Sequence, residues 1–297
     1  MASIVGDWGT TRLRLFRKTD GATERREGPG IGTPGLDARA ALAATLDGWP
    51  EAERVLLAGM AGARGALVEA GYVACPAAID DWAARPARCA IGGRAVIVAA
   101  GLSCRHNDGA PDVMRGEETQ MFGALALMPA LACGRLRLLL PGTHAKWVDV
   151  ADATVTGFRT YPTGEMFALL SRQSTLARGA GDRPDDAAAG FDAGLDRAAT
   201  PFVAALFEAR AAQMLDARSP DWARGFLSGL LIGSEIVAET SVGGGGGSDG
   251  RAITVVGDPA LCDHYVRALG RFGIASSRID GEAAVLAGLA LLEDWVE

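Results

Sequence analysis

Asp7-Trp8-Gly9-Thr10-Thr11-Arg12-Leu13-Arg14 places a carboxylate, a turn tip without a side chain, two hydroxyls and two guanidinium groups within one short stretch. A tight turn tipped by Gly9 lets backbone N–H groups and the Thr10 and Thr11 hydroxyls approach phosphate oxygens, because no Cβ blocks them. Asp7, closing the first strand, is placed to hold Mg2+ through water, as hard cations prefer. Arg14, on the same strand face as Arg12, can neutralise charge on a transferring group. A plain β-hairpin would use the same residues.

Pro141-Gly142-Thr143-His144-Ala145-Lys146-Trp147 repeats the chemistry, with a second Gly-Thr tip and with His144 and Lys146 on one strand face. Two such hairpins facing each other would grip the β- and γ-phosphates of a triphosphate from both sides, which neither could do alone. Val255-Val256-Gly257-Asp258-Pro259 adds a buried strand, a glycine open to a ligand and an Asp-Pro helix start, a turn on which a base or ribose could rest.

Between the hairpins, Asp112-Val113-Met114-Arg115-Gly116-Glu117-Glu118-Thr119-Gln120 leads into an apolar helix. Paired carboxylates suit a helix N-terminus through the dipole alone. They also suit phosphoryl transfer to an alcohol, which needs a carboxylate to accept the hydroxyl proton, while Arg115 could grip a substrate carboxylate in bidentate fashion. No GxxxxGK[ST] loop is present, which excludes a P-loop. Gly30-Ile31-Gly32-Thr33-Pro34-Gly35 fits GxGxxG, but it follows the charged Thr23 to Glu27 stretch and contains Pro34, so it reads as a loop and not a dinucleotide turn. Gly179-Ala180-Gly181-Asp182 imitates the anion hole of ribokinase-like kinases without its flanking residues.

Positioning these groups requires strands beside helices. Apolar strand-length runs at Val55 to Ala58, Ala95 to Ala99, Leu136 to Leu140 and Ile253 to Val256 alternate with Ala-rich helical patterns, the signature of an α/β protein. The strand-turn-strand pattern occurs near the N-terminus and again from Arg135, which suggests two halves of related design. Domains are expected at 1–132, with 281–297 packing back on it, and at 133–280. Ser241 to Gly250, with five consecutive glycines, reads as a loop, and Gly281 to Trp295 as a helix whose small residues allow close packing.

The formal charge of −7 and a pI near 5.1 disfavour nucleic acid and anionic lipid as partners. Asp7 precedes any apolar run that could serve as a leader, and Pro129 interrupts the longest later one, so a cytoplasmic protein without membrane partners is expected. Five scattered cysteines read as reduced thiols.

Asp7-x-Gly9-x-Thr11-x-x-Arg14 resembles the first phosphate motif of hexokinase-like members of the actin-like ATPase superfamily. Val113 to Gln120, Pro141 to Val148, Thr163-Gly164-Glu165 and Phe226 to Gly233 are, in that order, similar to the 2-dehydro-3-deoxygalactonokinase family. The resemblance implies a two-domain actin-like ATPase fold, related to ribonuclease H, closing over a nucleotide cleft. It further implies transfer of the γ-phosphate of ATP, with Mg2+, to the 6-hydroxyl of 2-dehydro-3-deoxy-D-galactonate in galactonate catabolism.

Carried onto this sequence, the phosphate motifs fall on Asp7 to Arg14 and on Gly142, Thr143, His144 and Lys146, and the adenosine-side turn falls at Gly257. The base is Glu117 or Glu118, with Glu117 preferred. Arg115, Thr163, Gly164 and Glu165 are expected on the sugar side. A nucleotide-driven switch of the same fold and a kinase of another sugar acid are the alternatives. The galacto or gluco epimer and a homodimer are left open.

Overall fold

A computed structural model describes residues 3–19, 22–49, 54–178, 186–241 and 252–296. The Gly179 to Asp182 stretch and the Gly243 to Gly247 loop lie outside the described residues.

The chain opens with β1 (Ser3–Trp8), β2 (Arg12–Thr19), β3 (Ala22–Pro29), α1 (Ala38–Leu46), β4 (Arg54–Gly59), β5 (Tyr72–Ala74), α2 (Ile79–Ala83), β6 (Ala87–Ile91) and β7 (Arg94–Val98). It continues through β8 (Gly101–Arg105), β9 (Pro111–Met114), α3 (Glu117–Leu127), β10 (Arg135–Leu140), β11 (Ala145–Ala151), β12 (Thr154–Tyr161) and α4 (Thr163–Arg172). It closes with α5 (Asp186–Asp196), α6 (Phe202–Leu215), α7 (Pro220–Ser241), β13 (Ile253–Gly257), α8 (Pro259–Arg271), β14 (Ser276–Asp280) and α9 (Gly281–Val296).

Two sheets repeat one order. The first runs β3-β2-β1-β4-β7-β6 and the second β12-β11-β10-β13-β14, so each begins with a three-strand meander whose first strand neighbours the fourth. In the first sheet β1 pairs antiparallel with β2 and parallel with β4, leaving the β1 C-terminus free to turn at Gly9. A small third sheet orders β5-β8-β9. The expected α/β class and actin-like ATPase fold are borne out by this duplicated arrangement.

Contacts divide the chain into one unit of Met1–Leu138, Val148–Arg159 and Ile279–Glu297 and a second of Leu139–Trp147 and Thr160–Arg278. The first is built on Ile4, Trp8, Leu13, Leu15, Val55, Leu57 and Val96, which alternate along their strands toward one face. The second gathers Leu139, Trp147, Ile232, Ile236, Val255 and Tyr265.

Backbone-close helix crossings brace each unit. A methyl at Gly288 of α9 would sit 2.0 Å from the Thr119 carbonyl of α3, which realises the close packing expected of the closing helix. In the second unit, a methyl at Gly229 would meet the Phe191 carbonyl at 2.0 Å, while Phe226, Leu227 and Leu230 are buried around it. The Phe226 to Gly233 motif is therefore a packing seam between α5 and α7. Among the described residues, no helix is long and apolar enough to cross a membrane.

Candidate active site

In the first unit, the hairpin between β1 and β2 closes through the Gly9 N–H donating to the Arg12 carbonyl at 2.8 Å. Thr10 and Thr11 are exposed at its tip. The segment fitting GxGxxG is a loop as expected, yet it also braces this tip, because Ile31 and Gly32 donate their N–H groups to the Gly9 and Thr10 carbonyls at 3.1 and 2.8 Å. A methyl at Gly30 would lie 2.2 Å from the Thr10 carbonyl oxygen, so only glycine lets this loop buttress the tip. The sequence offered a signal for this in an unexplained glycine pair.

Asp7 and Arg14 are cross-strand partners, and the Arg14 Nη2 donates to Asp7 Oδ2 at 2.7 Å. Burial alone would lower the Arg14 pKa, but the Asp7 hydrogen bond and the charges of Asp7, Glu282 and Glu27 outweigh it and raise the value. Arg14 therefore stays a cation, held by an acidic frame.

The start of α3 is brought to the same place by two glycines with positive φ, Gly59 (83°) at the end of β4 and Gly116 (106°) before the helix. A methyl on Gly59 would fall 3.0 Å from Asp7 Oδ1, and one on Gly116 would fall 3.2 Å from the Gly59 Cα. Asp7, Gly59 and Gly116 thus stand in succession, and the Glu117–Glu118 pair follows Gly116 at the start of α3.

The two carboxylates differ. Glu118 is fully buried, its Oε1 and Oε2 accept the Gly116 N–H at 2.9 and 2.7 Å, and desolvation, reinforced by Glu117, pushes its pKa up to about 7. Glu117 is half-buried, and its Oε2 accepts the Arg115 N–H at 3.1 Å. The Arg115 guanidinium, expected to meet substrate, instead donates to the Ala70 carbonyl at 2.7 Å and lies 4.4 Å from the Tyr72 ring centroid. Its Nε and Nη1 are buried without hydrogen-bond partners.

In the second unit, the turn from β10 to β11 exposes Thr143 and His144. His144 Nε2 meets Glu165 Oε2 at 2.8 Å, and the Glu165 N–H donates to the Thr143 carbonyl at 3.0 Å. A methyl on Gly164 would lie 2.4 Å from the Gly142 carbonyl oxygen, so the start of α4 presses directly on the hairpin. The structure therefore joins Thr163, Gly164 and Glu165, read from sequence as a separate sugar-side group, to Gly142, Thr143 and His144.

Lys146 differs from the expectation of an ammonium presented beside His144: only 4% exposed, it donates from Nζ to Thr160 Oγ1 at 3.0 Å. Gly257 ends β13 beside Pro141, and Asp258 caps α8 by accepting the Ala260 and Leu261 N–H groups at 3.0 and 3.2 Å.

Sequence reasoning missed Glu235 on α7. It is 2% exposed and accepts hydrogen bonds from Trp147 Nε1 at 2.6 Å, Thr163 Oγ1 at 2.5 Å and Tyr265 Oη at 3.1 Å. Desolvation pushes its pKa up to about 7, against the pull of those three donors and with the help of Glu239. The available signal was a lone acid in the apolar run Leu230 to Val237.

A family model described as 2-keto-3-deoxy-galactonokinase matches residues 7–292. The chain belongs to the 2-keto-3-deoxy-galactonokinase family. A Rhizobium meliloti (strain 1021) protein named for the same kinase is 38% identical over 299 residues, spanning 96% of this chain and 94% of the relative. The Escherichia coli (strain K12) 2-dehydro-3-deoxygalactonokinase is 34% identical, spanning 96% and 95%. The crystal structure of a Sinorhizobium meliloti protein assigned by name to the 2-dehydro-3-deoxygalactonokinases superposes with a TM-score of 0.85 at 35% identity, covering 99% of both chains. Membership makes this chain a kinase that uses ATP, generally with a divalent metal.

Proposed function

We propose that this family member transfers the γ-phosphate of ATP to the 6-hydroxyl of 2-dehydro-3-deoxy-D-galactonate, in the cytoplasm, as a step of galactonate catabolism. The observation that carries the phosphate assignment is the spare space at the two hairpin tips. Beyond its chain neighbours, a methyl at Gly9 would come no nearer than 3.6 Å to another residue, and one at Gly142 no nearer than 3.7 Å. Neither glycine has the positive φ that would demand it. Folding does not require glycine at either tip, whereas a phosphate approaching the backbone does.

In this reading the exposed Thr10, Thr11 and Thr143 hydroxyls and the Gly142 N–H bind the ATP phosphates, Gly9, whose own N–H closes the first hairpin, leaves room for their approach, and His144 stands at the rim of the second tip. Gly257 lies on the nucleotide side. Asp7 fits Mg2+: it is a hard-oxygen ligand whose Oδ1 faces glycine, and among the described residues no group of three or more His, Cys, Asp or Glu side chains could hold a metal alone. Mg2+ would thus be held by Asp7, chiefly through water, and would supply charge neutralisation on the phosphates. Arg14, kept cationic beside Asp7, offsets charge that develops on the transferring group.

Glu117 accepts the substrate hydroxyl proton. Its carboxylate is half-open, while that of Glu118 is sealed within the helix start. Glu165 serves the sugar side. Arg115, Thr163, Gly164 and Lys146 contribute by positioning: Arg115 donates through Nη2 to the Ala70 carbonyl and lies over Tyr72, Thr163 and Lys146 are held by Glu235 and Thr160, and Gly164 lies against the hairpin backbone.

A coupled ADP-release assay with several 2-keto-3-deoxy sugar acids and free aldohexoses tests the reading. Turnover is expected on the galactonate-derived acid. Activity on aldohexoses alone would overturn the substrate, and no activity on any of them would favour a nucleotide-driven switch.

A further inference from the structure

Glu235 is a buried acid that the chemistry above does not use. Its α7 neighbours Ile232 and Ile236 are buried apolar residues, where a hydrophobic side chain of similar size would be accommodated at less cost than a carboxylate. Its three donors come from three different elements: Trp147 from β11, Thr163 from the first position of α4, and Tyr265 from α8. An indole N–H can only donate, so Trp147 fixes which oxygen faces β11 and leaves the other to the two hydroxyls.

We propose that Glu235 is a positioning residue for the second hairpin, holding Thr163 and Trp147 so that the α4 start stays seated against Gly142 and Thr143. Trp147 follows the hairpin on β11, and Thr163 immediately precedes the glycine whose backbone lies against the Gly142 carbonyl. One carboxylate therefore anchors both sides of the contact that carries the Glu165 N–H to the Thr143 carbonyl and Glu165 Oε2 to His144 Nε2. A sub-ångström drift at the α4 start would be transmitted to the tip, where catalysis depends on position. The consequence for catalysis rests on the kinase reading above, whereas the structural link does not.

The test compares wild type with Glu235→Leu, Thr163→Val and Glu235→Gln, in the ligand-free full chain, by the ring resonances of its three histidines. His144→Gln identifies the His144 signal, and His106, in the first unit, is the control. Glu235→Leu and Thr163→Val are expected to move the His144 signal and leave that of His106 unchanged. Glu235→Gln is expected to return it, because an amide oxygen can accept from Trp147 while its NH2 donates to the Thr163 or Tyr265 hydroxyl.

In the sugar-acid assay, kcat should fall roughly tenfold or more in Thr163→Val and recover in Glu235→Gln, the scale of a misplaced catalytic surface. If Glu235→Leu does not fold, Thr163→Val decides alone. A His144 signal at its wild-type position in Thr163→Val would overturn the proposal and reduce Glu235 to a core acid. If wild type phosphorylates no sugar acid, the functional reading fails while the resonance comparison still decides the positioning role.

Discussion

At Glu117 and Glu118, adjacent carboxylates meet opposite environments because α3 begins at a glycine with no capping side chain. Glu118 folds back to accept the Gly116 N–H and is lost to solvent; Glu117 keeps one side open. Sequence alone could not divide the pair, since both fit a helix start and both could take a proton. Glu117→Gln should lower kcat by ~100-fold or more, the usual worth of a general base, while ATP affinity stays within about twofold. Steady-state kinetics and a nucleotide titration check this, and unchanged turnover would move the base elsewhere.

Among the elements, α3 and α7 each bury an acid whose pKa is raised to about 7. A glutamate carboxyl in the unfolded chain ionises near its ordinary value of 4.5, so between these values the folded state binds more protons than the unfolded one. The contribution of each group is fully present below the unfolded pKa and is lost as pH rises through the folded one. Stability should therefore decline from pH 4.5 to 7 by on the order of 1 kcal/mol per unit for each such group. Glu235→Gln should flatten that decline, read as Tm against pH for the variant and wild type. An unchanged slope would mean that Glu235 is ionised throughout.

Across the whole molecule, what could be read from sequence was local. The two Gly-Thr hairpins, the Asp258 cap and the close-packing α9 each depend on a few neighbouring residues, and each is found where its pattern stands. What could not be read depends on distant partners. Gly59 and Gly116 matter because β4 ends and α3 begins beside Asp7, and Lys146 is buried because Thr160 on β12 receives its ammonium. Glu235 acquires its setting from three segments separated from it by up to 88 residues. Periodicity and turn chemistry do not report contacts of that kind.

The central claim is that Gly9 and Gly142 are glycine for ATP and not for folding. It is tested most directly by titrating a non-hydrolysable ATP analogue into wild type, Gly9→Ala and Gly142→Ala, with Tm measured on the same samples. Each variant is expected to bind about tenfold more weakly, ~1.4 kcal/mol, with Tm unchanged. Wild-type affinity in both variants would contradict the claim, as would weakened binding accompanied by an equal loss of thermal stability.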